Sequence, residues 1–237
     1  MKGNDNMENE SCGKHLFHTA GKQVAVYPSA APDRPVIYLN TFANEGDNVH
    51  QALQAANCPD FTLVAISGLT WDNDMAPWDI PPISEGDTPC TGGADDYLKL
   101  LIDEIVPKAE AQIRGKPLWR GLAGYSLAGL FAVYSIYRTT LFSRIASMSG
   151  SLWFPGFEEY VFSHEMQGGI THLYFSLGDR ECRTKNPYLQ TVQTHTEKIE
   201  AFFSQHNVDT VFQLNAGNHY KNAVQRTAAG ITWILGK

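Results

Sequence analysis

Apolar and polar positions along this chain change their period repeatedly, and each change predicts an element. His15–Thr19 and residues 23–28 read as two short strands around Ala20-Gly21-Lys22, a hairpin. Residues 35–40 and 61–67 are apolar almost throughout, as buried strands are, and 48–56 between them has helical spacing. Residues 68–93 form the longest stretch without a period, holding Trp71, Pro77, Trp78, Pro81, Pro82 and several aspartates. An irregular run of that length inside a compact domain predicts a functional loop. From 94 to 113, Tyr97, Leu98, Leu101, Ile102, Ile105 and Ala109 recur at three and four, predicting an amphipathic helix that Pro107 should kink. A strand over 118–125 follows, then a helix over 127–137 that is apolar nearly all round, then a strand over Arg144–Met148. Residues 149–165 are aromatic and irregular. The remainder alternates: a strand over 172–177, a helix entered at Asn186-Pro187 and running to about 206, a strand over 208–214, and a helix over 220–235.

An antiparallel start followed by alternating strands and helices predicts an α/β fold, with a mostly parallel central sheet and helices on both faces. No repeat or composition break divides the 237 residues. The expected organisation is a flexible N-terminal segment over 1–14 and a single domain over 15–237.

Charge narrows the partners. The net charge is −7 and the Lys and Arg residues are scattered, which argues against nucleic acid and anionic membranes. No apolar run is long enough to span a bilayer. The polar, acidic first eleven residues lack the basic start and apolar core of a secretion signal, so the expected compartment is the cytoplasm. Cys12, Cys58, Cys90 and Cys182 are far apart and form no C-x-x-C pair, so free thiols are expected and no zinc ribbon. Asp72, Asp74 and Asp79 lack the Gly and Glu of a calcium loop and are expected as solvated charges, with no metal site.

The chemistry concentrates at Gly124-Tyr125-Ser126-Leu127-Ala128-Gly129, where the strand over 118–125 meets a helix. A serine between small residues at such a junction is the nucleophile-elbow pattern. The turn is tight, its serine backbone is usually strained, and only small residues fit two positions away on each side. The turn lifts Ser126 Oγ above the sheet edge and aims the Leu127 N–H at an incoming carbonyl. Ala128 stands where the strict pattern has Gly, and the requirement there is small size. Taken alone, the motif equally describes a serine capping a buried helix.

A serine hydroxyl needs a base, and the base needs a partner to fix its tautomer. In this arrangement the chain order is Ser, acid, His. His15, His18 and His50 precede Ser126, His164 has no strand end behind it, His172 begins a strand, and His195 and His206 lie in a helix. His219 alone sits in a turn, Asn215-Ala216-Gly217-Asn218-His219, at the carboxyl end of the last strand, where open α/β sheets bind ligands. The acid should follow the strand ending at Leu177. Glu181 is favoured by the layout of that turn, with Asp179 as the alternative. A second oxyanion donor should come from the loop after residue 40, from the N–H of Phe42 or Thr41. Trp71, Trp78, Trp153 and Phe154, with Tyr125 beside the serine, are candidate walls of an aromatic or acyl pocket. The alternative for each is loop packing.

These residues resemble the putative-esterase branch of the α/β-hydrolase superfamily, which includes enterobactin-type siderophore esterases, S-formylglutathione hydrolases and mycolyl transferases. The resemblance is carried by the elbow, the Glu104-Ile105-Val106-Pro107 run, Ser149-Gly150-Ser151-Leu152-Trp153-Phe154, Gly178-Asp179-Arg180-Glu181 and Gly217-Asn218-His219. It implies an α/β-hydrolase fold and a carboxylic ester hydrolase without a cofactor, acting on a small-molecule ester through Ser126, His219 and Glu181. The Ser149–Phe154 stretch looks most like the siderophore-esterase side, although no basic cluster suited to a ferric catecholate is evident. An acyltransferase on the same triad, or a hydrolase-like binding protein without turnover, are the competing readings.

Overall fold

The computed structural model describes residues 13–236. The N-terminal segment expected over 1–14 therefore lies, up to residue 12, outside the described residues, as does Cys12. In chain order the elements are β1 (His15–Thr19), β2 (Lys22–Tyr27), β3 (Val36–Asn40), α1 (Gly46–Ala55), β4 (Thr62–Ser67), α2 (Trp71–Asp74), β5 (Asp79–Ile80), β6 (Cys90–Thr91), α3 (Ala94–Leu100), α4 (Val106–Glu110), β7 (Arg120–Tyr125), α5 (Leu127–Ser135), β8 (Arg144–Met148), α6 (Phe157–Ser163), β9 (His172–Gly178), α7 (Val192–Gln205), β10 (Asp209–Asn215) and α8 (Ala223–Leu235).

Eight strands form one sheet in the order β1-β2-β4-β3-β7-β8-β9-β10. β1 and β2 are antiparallel, β2 is antiparallel to β4, and the rest run parallel. This is the mostly parallel α/β sheet that the alternation predicts. Side chains leave a strand on alternate faces, and β3 shows how both faces are filled. Val36 and Tyr38 join one core with α3, α4, α5 and α7, while Ile37 and Leu39 join the other with α1 and α8. Every residue of α5 is buried, as its all-round apolar sequence requires.

The departures have local causes. α3 and α4 are joined by a π-helical turn, Leu101–Ile105, so the kink expected at Pro107 becomes a widened turn before it. Pro107 lacks an N–H and its ring would press on the Asp103 carbonyl of a regular helix; the wider turn accommodates both. Residues 149–165 are not wholly irregular, because α6 forms within them. α7 begins at Val192, after a 3₁₀ turn over Leu189–Thr191. Asn186 still caps the entry, its Oδ1 accepting from the N–H groups of Tyr188 and Leu189 at 2.9 and 3.2 Å.

The segment over 68–93 holds α2 and the small β5–β6 ribbon. Asp74 is not the solvated charge expected of it. It is buried, paired with the ammonium of buried Lys22 at the start of β2, and it accepts from the Thr70 N–H at 2.8 Å. A buried carboxylate persists only with such partners, and this pair ties the long segment to the sheet. Cys58, Cys90 and Cys182 are free. No helix among the described residues is long and apolar enough to cross a membrane.

Candidate active site

Ser126 follows β7 and opens α5 with φ 59° and ψ −125°, a left-sided conformation that a non-glycine residue adopts only under constraint. Backbone hydrogen bonds hold it: the Ser126 N–H donates to the Met148 carbonyl at 3.0 Å, and the Ser126 carbonyl accepts from the N–H groups of Gly129 at 3.0 Å, Leu130 at 3.1 Å and Ser151 at 3.1 Å. Gly124 explains the demand for small neighbours: a Cβ there would collide with the carbonyl and side chain of Ala128. Ala128 itself is fully buried without conflict. Ser126 Oγ meets Ser151 Oγ at 3.5 Å. The Leu127 N–H is the first of α5, where no earlier turn supplies a carbonyl.

The loops after β9 and β10 carry the other side chains. They approach so closely that a Cβ on Gly178 would strike the Gly217 carbonyl. Asp179 Oδ1 accepts from the Gly217 N–H at 2.8 Å, and the Arg180 N–H donates to the Gly217 carbonyl at 3.0 Å. Asp179 thus faces the backbone of the histidine loop. Glu181 faces the imidazole: its Oε2 accepts from His219 Nδ1 at 2.7 Å. Glu181 Oε1 accepts from Ser149 Oγ at 2.7 Å, from the Gly178 N–H at 2.5 Å and from Arg226 Nη2 at 2.9 Å. Arg226 also reaches Ser149 Oγ. Burial pushes the Glu181 carboxyl upward, but the hydrogen bond and charge of His219, with the Ser149 hydroxyl and Gly178 N–H, outweigh it and hold the group down at about 2. Tyr125 Oη donates to the His219 carbonyl at 2.6 Å, fixing the loop from the elbow side.

Of the two expected oxyanion donors, Thr41 is corrected: its N–H is spent on the Ile66 carbonyl at 2.8 Å, extending the β3–β4 ladder by one bond. The next N–H, that of Phe42, has no acceptor among the described residues.

Ser126 and His219 line one cavity of about 340 Å³, between the loop over 41–45 and the start of α8. Trp71 and Tyr125 are among the residues that line it. Trp78, Trp153 and Phe154 are not, and this is a second correction. Phe154 is fully buried, and Trp78 packs on Phe154, Phe157 and Tyr160 with its Nε1–H donating to the Pro155 carbonyl at 3.0 Å. Trp153 packs against Phe154. Phe154 and Phe157 belong to the core on the α5 side of the sheet, and Trp78 and Tyr160 pack against it, holding the loops down. The lining that sequence reasoning missed includes Leu39, Val49 and Val224. It also missed Arg226, whose one signal is spacing: Arg226, Gly230 and Ile234 fall four apart on the buried face of α8.

Comparison with known proteins follows the same lines. A family model described as "Putative esterase" matches residues 35–224. The chain is 25% identical over 238 residues to the protein YbbA of Bacillus subtilis, covering 93% of this chain and 95% of that one. Among solved structures, an IroE-like serine hydrolase from Shewanella oneidensis superposes with a TM-score of 0.74 at 18% identity, covering 94% of this chain and 80% of that one. The siderophore hydrolase EstA from Aspergillus nidulans gives 0.70 at 15% identity, covering 94% of each chain. At such identities the likeness to solved structures concerns the fold.

Proposed function

The chain belongs to the putative esterase family and is a carboxylic ester hydrolase, and from that premise we propose that it works through an acyl-enzyme on Ser126. The observation that carries this reading is the 2.7 Å bond between Glu181 Oε2 and His219 Nδ1, in a cavity shared with a strained serine. With Nδ1–H donating to the carboxylate, Nε2 is the acceptor nitrogen of the neutral ring.

The cycle follows from those atoms. Ser126 Oγ attacks the ester carbonyl as its proton passes to His219 Nε2. The Leu127 and Phe42 N–H groups hold the oxyanion, each removal of such a donor typically costing ~10²–10³ in rate. The tetrahedral intermediate collapses, and the imidazolium gives its proton to the departing alcohol. Water then attacks the acyl-enzyme, loses a proton to His219, and releases the acid and the serine hydroxyl. Glu181, ionised at neutral pH, stabilises the imidazolium at both stages without taking its proton.

A fluorophosphonate adduct mapped by peptide mass spectrometry, with p-nitrophenyl acetate turnover followed in parallel, tests the proposal. A single adduct on Ser126, and a loss of ~10⁴-fold or more in Ser126→Ala with an unchanged circular dichroism spectrum, are expected. Retained turnover in that variant, or an adduct elsewhere, overturns the role of Ser126. Siderophore esters enter as candidate substrates through the relatives named for them.

A further inference from the structure

The cavity beside Ser126 has a chemistry of its own. Leu39 and Val49 line it on the side of the sheet covered by α1 and α8, and Val224 and Ala223 come from the first turn of α8. Phe42 and Tyr220 also line it, and their side chains are 67% and 84% exposed. Two aromatic side chains left that open beside an apolar cavity lose water contact when an apolar ligand enters. Among the described residues no Lys or Arg lines the cavity, and the one carboxylate in its lining is that of Glu45. Beyond Val224 lies a shallow groove lined by the amides of Asn48, Gln51, Asn222 and Gln225. Tyr220, Ala223 and Val224 line both the cavity and the groove, so they form the wall between them, and Val224 is its one branched aliphatic side chain.

We propose that this cavity holds the acyl portion of the substrate, that it takes a neutral aliphatic chain, and that Val224 sets the chain length. The proposal rests on the acyl-enzyme reading above. The acyl group is the part that stays on Ser126 after the alcohol leaves past His219, so it is the part a cavity walled by Leu39, Val49 and Val224 retains. An anionic acyl group meets Glu45 with no cation in the lining to offset it. Each added methylene that enters the cavity contributes about fourfold to kcat/KM, until the chain meets Val224.

The test is a p-nitrophenyl series of acetate, butyrate, hexanoate, octanoate and decanoate, with the p-nitrophenyl monoester of succinate as the anionic counterpart of butyrate. For the wild-type protein kcat/KM should climb from acetate to an intermediate length and then fall. Val224→Trp should lower the hexanoate-to-acetate ratio at least tenfold. Val224→Ala should move the optimum to longer chains. The succinate ester should be at least tenfold slower than butyrate, and Glu45→Gln should narrow that gap. A matched series of acetates of phenol, butanol and hexanol varies the alcohol instead. Rates that rise with the alcohol and not with the acyl chain overturn the assignment. So does a flat acyl series, or a common shift of all esters in both Val224 variants. Acetate turnover with Ser126 labelling separates the two failures: its absence sinks the acyl-enzyme reading, while its presence with a flat acyl series sinks the pocket alone.

Discussion

Arg226 Nη2 donates to Glu181 Oε1 at 2.9 Å, so the carboxylate meets His219 through Oε2 alone. Both side chains are nearly inaccessible, 4% and 5% exposed. Replacing one partner of a buried pair leaves the other uncompensated and typically costs about 3–5 kcal/mol. Glu181→Gln should therefore lose stability of that order together with ~10²–10⁴ in kcat, because the imidazole loses both its orientation and its counter-charge. Arg226→Met should lose comparable stability but less kcat, since it leaves the Glu181–His219 bond in place. Urea unfolding and single-turnover rates read the two effects separately. Equal losses of rate in the two variants would contradict this division.

The pH dependence has a definite sign. Glu181 sits at about 2 in the folded protein, held there against burial by His219, Ser149 and Gly178. An unfolded glutamate titrates near ~4.3. The native state thus binds fewer protons between these values, and the stabilisation is complete above the higher one and lost as pH falls through the lower. Its size is on the order of 3 kcal/mol. The stability gap between the wild type and Glu181→Gln should shrink when urea midpoints are measured at about pH 3 instead of about pH 6. A gap of the same size at both would show that the carboxylate is not held ionised by its neighbours.

Gly124 is predicted to be the least replaceable residue of the elbow. Alanine there would press on the Ala128 carbonyl and methyl, and the backbone would have to move. Gly124→Ala should cost about 1–3 kcal/mol and most of the activity, because the Ser126 turn shifts with it. Ala128→Gly should cost about 1 kcal/mol through helix propensity and retain the site. Melting temperatures and ester turnover of the two variants check the contrast.

The Lys22–Asp74 pair anchors the segment that carries Trp71 to the sheet. Lys22→Met leaves Asp74 buried with only the Thr70 N–H and should destabilise by about 3–5 kcal/mol. Lys22→Met with Asp74→Leu should recover much of that loss. A double variant no more stable than Lys22→Met would mean that the pair is not the cause.

The sequence is most legible where period and punctuation agree. Arg144–Met148 is a strand to the residue, and α5 begins at the Leu127 that the elbow pattern requires. Chain order and strand ends narrow the candidates to Ser126, His219 and either Glu181 or Asp179, and only the folded loop turns Glu181 to the imidazole and Asp179 to the Gly217 N–H. Trp78 and Phe154 show the limit: the pattern says that a loop is aromatic but not toward which side it folds. α6 is hidden because Pro155-Gly156 reads as a turn and too few residues follow to establish a helical period. The Lys22–Asp74 contact spans 52 positions, and neither residue carries a mark of its partner. The Thr41 amide looks as available as that of Phe42 until the register of β3 against β4 is known.

β10 is an edge strand of the sheet, paired among the described residues with β9 alone, and all of its residues are partly or fully exposed. The loop it feeds carries His219, whereas Ser126 hangs from β7 deep in the sheet. The serine and the imidazole therefore belong to regions of unequal permanence. Fraying at that margin would separate them while the interior of the sheet still stood. Turnover becomes a gauge of the edge: on gentle heating the protein should fall silent, reversibly, several degrees before its far-ultraviolet circular dichroism registers any melting.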